Sequence, residues 1–206
     1  MLPKLQMLPG KAACQQLWAK PLEGHMIEPI SWTERKFTFD QPVGAFPALL
    51  ERLRGTPIRA AVLVAGVPEY ILAARANGNW SAKEHLGHLD DLQPLDDKRL
   101  REFLSRAPIL SPADMSNRAT EEANHRGTAI ADILRRLSAG RSELVGKLEA
   151  LNETEVSITA LHPRLQKPMR LLDWAYFVAE HDDHHLAKAR RVIWGFTPGA
   201  ASGVRG

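Results

Sequence analysis

One helix with histidines where core residues belong limits what this chain can fold into. Leu171 to Ile193 reads as a single long helix containing Glu180-His181-Asp182-Asp183-His184-His185. His181 and His185 are four residues apart and so share a helical face. The apolar stripe of the helix runs Trp174, Val178, His181, His185, Ala189, Val192, which turns both imidazoles toward the core. A buried imidazole must still place its polar nitrogens. Hydrogen bonds within the core are one solution. A metal ion shared by the pair is the other, and two histidines one turn apart favour it.

A second helix supplies further candidates. Ser81 and Glu84 form an S-x-x-E capping box, with Trp80 ahead of it as a hydrophobic staple, and Leu86, Leu89 and Leu92 follow. His85 and His88 lie three apart on this helix, and either one, facing the last helix, completes a three-histidine set. Three imidazoles suit Zn²⁺ or Ni²⁺ and leave a coordination position for water or substrate. Asp91, one turn past His88, and Asp182 or Glu180 on the last helix are the acids placed to orient a ligand or act as a base. Most helix carboxylates are simply solvated, and that reading stands beside this one. His184, about 100° round the helix from His185, ranks below these residues. His25, His125 and His162 read as surface residues, and Tyr176 and Arg190, on the histidine helix to either side of its histidines, as side chains that could touch a substrate.

The remaining pattern is helical. Phe46, Leu49, Leu50 and Leu53 open a first helix from about Val43. Gly55-Thr56-Pro57 is expected to interrupt it, with Thr56 capping a restart to about Val67. Pro94 breaks the second helix, which continues to about Arg106, and 107–117 reads as loop. Arg126 to Leu151 is a third helix with Gly140 as a weak point. A loop over 152–168, extended near 158–165, leads to the histidine helix, closed by Gly195. Four amphipathic helices without substantial strands predict an all-α four-helix bundle. It should occupy 33–195, between an N-terminal extension over 1–32, rich in proline, and a Gly/Ala/Ser tail over 196–206.

Composition narrows the function classes. The net charge of +3 on 206 residues comes from scattered, interleaved charges, which gives no support to a nucleic-acid partner. No apolar run approaches the roughly 20 residues that span a bilayer. Cys14 is the single cysteine, so an intramolecular disulfide and a cysteine-based zinc site are excluded, in keeping with a reducing cytoplasm.

The strings WSAKEHLGHLDD and AEHDDHHLAKARRVIW, in this order and about ninety residues apart, resemble the DinB/YfiT-like superfamily, as does FPALLERLRGTP in the first helix. The resemblance spans roughly Phe39 to Trp194. It implies an up-down-down-up bundle in which His88, His181 and His185 hold a divalent metal. His88 rather than His85 matches, because Leu89 and Asp91 follow it. It further implies a homodimer and either a metal-dependent hydrolase or a thiol S-transferase acting on a small-molecule substrate, such as a low-molecular-weight thiol. A non-catalytic metal-binding, stress-related protein is the alternative.

Overall fold

The computed structural model describes residues 27–76 and 78–196. Most of the expected extension, with His25, and nearly all of the expected tail lie outside these residues. The described elements are α1 (Phe46–Val64), α2 (Glu69–Leu72), α3 (Ala82–Asp91), α4 (Gln93–Leu104), α5 (Arg118–Glu122), α6 (Ile130–Glu149), α7 (Glu153–Val156), β1 (Thr159–His162), β2 (Lys167–Arg170) and α8 (Leu171–Phe196). A 3₁₀ turn, Val43–Ala45, precedes α1. The strands form a small antiparallel hairpin, with Thr159 opposite Arg170 and His162 opposite Lys167. The all-α expectation holds, with this hairpin as a minor addition in the segment read as extended.

Side-chain pairs fix the helix directions. Arg52 reaches Glu180 at 2.7 Å and Arg59 reaches Asp183 at 2.5 Å, so α1 and α8 run parallel. Lys83 donates to the Thr128 carbonyl just before α6, Arg136 binds Asp90, and Lys147 binds Asp97; α3 with α4 therefore runs parallel to α6. His85 meets His185 and His88 meets His181, which makes α3 and α8 antiparallel. Arg54 pairs with Glu149, while the Ile130 N–H donates to Glu69 just past α1, so α1 and α6 oppose each other. The order is up-down-down-up.

Two local expectations are corrected. First, α1 does not break at Gly55-Thr56-Pro57; Pro57 sits inside one continuous helix. Proline has no N–H to offer the Leu53 carbonyl. The helix continues because Leu53, Thr56 and Ala60, on the buried face that Pro57 borders, are wholly buried. The Thr56 hydroxyl turns back to the Arg52 carbonyl at 3.3 Å instead of capping a new start. Second, Gly195 does not end the last helix, which is described through Phe196. Ile193 is buried and ends its core stripe, whereas Val192 is half-buried. The capping box stands: the Glu84 N–H donates to Ser81 Oγ at 3.3 Å, and the Ser81 N–H to Glu84 Oε2 at 2.8 Å.

The core has two apolar clusters with a polar belt between them. One contains Leu49, Leu53, Phe103, Leu144, Leu148, Trp174 and Val178. The other contains Ala60, Leu63, Leu86, Leu89, Ile133, Leu137, Leu186 and Ile193. Each long helix crosses the belt with polar residues: Thr56 on α1, Gln93 and Asp96 on α4, Arg141 on α6, and His181, Asp182 and His185 on α8. Arg141, 1% exposed, donates to both oxygens of Asp182 at 3.0 and 2.7 Å and to Asp96 at 3.1 Å.

Candidate metal centre

His88, His181 and His185 meet in the belt, with one ring nitrogen of each within 4.8 Å of the others. The Nε2 atoms of His181 and His185 are 3.1 Å apart. Two imidazole nitrogens on a tetrahedral ion, with metal–nitrogen bonds of ~2.0–2.1 Å, would stand about 3.3 Å apart. This one-turn pair is therefore already spaced as ligands. The ring of His88 lies 4.7 Å from that of His185 and 5.3 Å from that of His181, centre to centre.

Burial keeps these rings neutral, as ligands must be. It holds His88 down at about 4, and His181 and His185 well below the usual histidine range. Neighbouring imidazoles add to the effect on His181 and His185.

The outer nitrogens are held in turn. His88 Nδ1 lies 2.9 Å from Thr120 Oγ1, and that hydroxyl donates to Asp91 Oδ2 at 2.8 Å. A hydroxyl that gives its proton to a carboxylate can only accept from the imidazole. His88 therefore carries its proton on Nδ1 and presents the Nε2 lone pair. His125 Nε2 also binds Asp91 Oδ2, at 2.8 Å. Burial alone would raise the Asp91 carboxyl, but the bonds from His125 and Thr120 hold it below the usual carboxylate range. On the other side, His185 Nδ1 meets His85 Nδ1 at 3.0 Å, which leaves His185 Nε2 to face His181. His85 thus supports a candidate ligand, His185, from outside the three-histidine set.

The expected acids divide. Asp91 acts on His88 through Thr120. Asp182 is fully buried, and both of its oxygens are taken by Arg141, so it braces the belt and is not placed as a base. Glu180 accepts from Arg35 and Arg52. The surface reading of His125 and His162 is corrected, since each is 2% exposed. His125 lies against Gly87, where a Cβ would come within 2.3 Å of its ring. His162 Nδ1 accepts from the Leu165 N–H at 3.2 Å, and its ring packs on Phe177.

Two chambers adjoin the histidines. The inner one, about 380 Å³, is walled by Trp32, Leu95, Pro112, Phe177 and Val178, with Arg99, His162 and Arg164. The outer one, about 880 Å³, includes Trp80, His85, His184, His185, Lys188 and Arg191. His88 and His181 border both. Trp32 packs at 4.8 Å on His181, and Trp80 at 4.9 Å on His88. Trp80, expected as a helix staple, instead covers the histidines and donates from Nε1 to Glu121 at 2.6 Å. His184 faces Trp32 and the outer chamber and makes no hydrogen bond to a described residue. Neither Tyr176 nor Arg190 lines these two chambers.

Residues 52–189, more than half of the chain and including all three histidines, match the family described as the DinB superfamily. The chain belongs to the DinB superfamily. Among solved structures, this DinB chain is similar to YfiT from Bacillus subtilis, described as "a probable metal-dependent hydrolase with an unusual four-helix bundle topology". The two share 18% identity at a TM-score of 0.67, over 77% of this chain and 91% of YfiT, a likeness of fold. YuaE of Bacillus subtilis (strain 168), described as uncharacterised, is 22% identical over 125 residues, covering 55% of this chain and 76% of YuaE. No described helix is long and apolar enough to cross a membrane.

Sequence reasoning missed Thr120, the supporting role of His85, and the covering tryptophans. Thr120 lies on a five-residue helix with no periodicity to announce it. Arg141 was more legible, being a charge one turn past Leu137 and nearly one turn before Leu144 on an apolar stripe.

Proposed function

We propose that this protein is a metal-dependent enzyme, a hydrolase in the first instance, whose divalent ion is held by His88, His181 and His185. The observation that carries the reading is the set of three neutral imidazoles beside two chambers. An ion serving only to tie helices together needs no such access. The description of YfiT as a probable metal-dependent hydrolase supports the same reading.

When bound, the ion supplies Lewis acidity, lowering the pKa of water or of a small thiol and polarising a carbonyl. The protein contributes the rest. Thr120 and Asp91 orient His88, and His85 orients His185. Trp32 and Trp80 shield the rings from bulk water. His184, held near 4 mainly by burial, is the uncommitted neutral imidazole on the outer wall. Zinc or nickel suits the nitrogen set. Transfer of a low-molecular-weight thiol would use the same open position and is the second activity to assay. We also read the chain as a cytoplasmic homodimer, which light scattering of the purified protein tests as to oligomeric state.

The test is elemental analysis of the purified protein beside His88→Ala and His185→Ala. About one zinc or nickel per chain is expected in the wild type and much less in either variant, with hydrolytic or thiol-transfer turnover lost on chelation. A folded wild type that takes up no metal after reconstitution would end the reading.

A further inference from the structure

One wall of the inner chamber carries hydrogen-bond donors that nothing in the fold uses. Arg99 is 5% exposed; its Nε donates to the Ser111 carbonyl at 3.0 Å, and its two terminal nitrogens bond to no described residue. Arg164 leaves Nη2 buried and without a partner, with its guanidinium 5.9 Å from the centre of the Phe177 ring. His162 accepts a hydrogen bond at Nδ1 from the Leu165 N–H, so in its neutral form the N–H is on Nε2, which is also buried without a partner. Burial and the charges of Arg99 and Arg164 push His162 down to about 4, so it is neutral at ordinary pH.

The acids nearby are already engaged. Asp96 binds Arg141, Glu102 accepts from the N–H and hydroxyl of Ser111, and Asp114 accepts from Ser116 and Arg118. Glu102 and Asp114 have both oxygens engaged, and only Asp96 Oδ1 has no hydrogen bond to a described residue, so the wall is rich in donors. Unused buried donors are costly, and a guanidinium fork matches a planar oxyanion. A monoanion suits the wall better than a phosphate dianion, because Asp96, Asp182 and Glu102 already offset much of the local positive charge. The opposite walls, Leu95, Pro112, Phe177 and Val178, are apolar, and His88 and His181 close one side.

We propose that the inner chamber holds the carboxylate of a small, otherwise apolar substrate on Arg99, Arg164 and His162, so that the rest of the molecule extends toward the histidines. The reacting end of this substrate rests on the metal reading above; the carboxylate site does not.

Binding of benzoate, benzamide and phenyl phosphate tests this, by calorimetry on the protein as purified and after chelation. The wild type, Arg99→Gln and Arg164→Gln are compared, with the metal content of each measured alongside. Benzoate is expected to bind in both preparations, at least tenfold tighter than its neutral isostere benzamide. Either arginine variant should lose at least tenfold in benzoate affinity and keep its metal. Arg164 is half-buried beside the hairpin turn, so its variant remains informative if Arg99→Gln does not fold. Equal binding of benzoate and benzamide, or unchanged benzoate binding in Arg164→Gln, would overturn the site. Tighter binding of phenyl phosphate would overturn the choice of a carboxylate. Loss of benzoate binding on chelation would place the anion on the metal and overturn the arginine site. A wild type that binds benzoate but no metal would sink the metal reading and leave this one standing.

Discussion

Thr120 shows how much of the site depends on a single hydroxyl. It is 3% exposed, and it joins His88 Nδ1 to Asp91 by bonds of 2.9 and 2.8 Å. Thr120→Val keeps the shape and removes the relay. Metal affinity should fall about 10- to 100-fold, the usual cost of losing a group that orients a ligand. Competition with a chromophoric chelator measures it, and Thr120→Ser should restore most of the loss. An unchanged affinity would mean that Asp91 has no part in holding His88. Gly87 makes the complementary case. An added Cβ would stand 2.3 Å from His125 Nδ1, and the ring can withdraw only by leaving Asp91. Gly87→Ala is expected to cost about 1–3 kcal/mol, as overpacked cores do. A urea midpoint equal to that of the wild type would show that the ring relocates freely.

At the scale of elements, α1 tolerates a proline because its buried face holds it in place. Pro57 is half-buried at the margin of that face, and the Leu53 carbonyl lacks its helical donor. Pro57→Ala supplies that N–H and should raise stability, by up to about 3 kcal/mol. A lower urea midpoint would show instead that the proline stabilises the helix by stiffening the unfolded chain. The same residues explain what was legible in the sequence. The periodicity of Phe46, Leu49, Leu50 and Leu53 reveals the helix, but single-residue propensity places a break at Pro57, because the burial that carries the helix past it is a tertiary quantity. Ser81 and Glu84 announce the start of α3 because a capping box is local. His88, His181 and His185 were readable because helical spacing and the family resemblance both act through residues near in sequence. The donors of the inner chamber were not readable. Arg99, His162 and Arg164 come from α4 and the β1–β2 hairpin, and only the packed bundle brings them together.

Across the whole molecule, the belt makes stability depend on charge in two ways. Asp182→Ala would leave Arg141 buried and poorly compensated, at a cost of about 3–5 kcal/mol. Joint replacement by Arg141→Met, Asp182→Leu and Asp96→Asn, which strands no buried charge, should cost much less, and denaturant melts of the two variants would separate the cases. The second dependence is on pH. Burial is the main reason that His88, His162 and His184 lie at about 4 and His85 at about 3, against 6.5 for a free imidazole. As pH falls below 6.5, the unfolded chain takes up protons that the folded chain refuses, so stability must drop toward pH 4. Asp96 acts in the opposite sense: burial pushes it up to about 6, so between pH 3.8 and 6 the fold keeps a proton that the unfolded chain has released. That contribution is present at low pH and lost as pH rises, but it is one group against several imidazoles. The metal-free protein should therefore have a lower urea midpoint at pH 5 than at pH 7. Each fully shifted imidazole adds about 1.4 kcal/mol per pH unit within the window. His162→Gln, outside the three-histidine set, should flatten the slope by one such step. Bound metal should sharpen the loss, because protons and ion compete for the same Nε2 lone pairs. A midpoint that rises on acidification would mean that these imidazoles are protonated in the folded protein, and a belt of buried cations could not hold a metal at all.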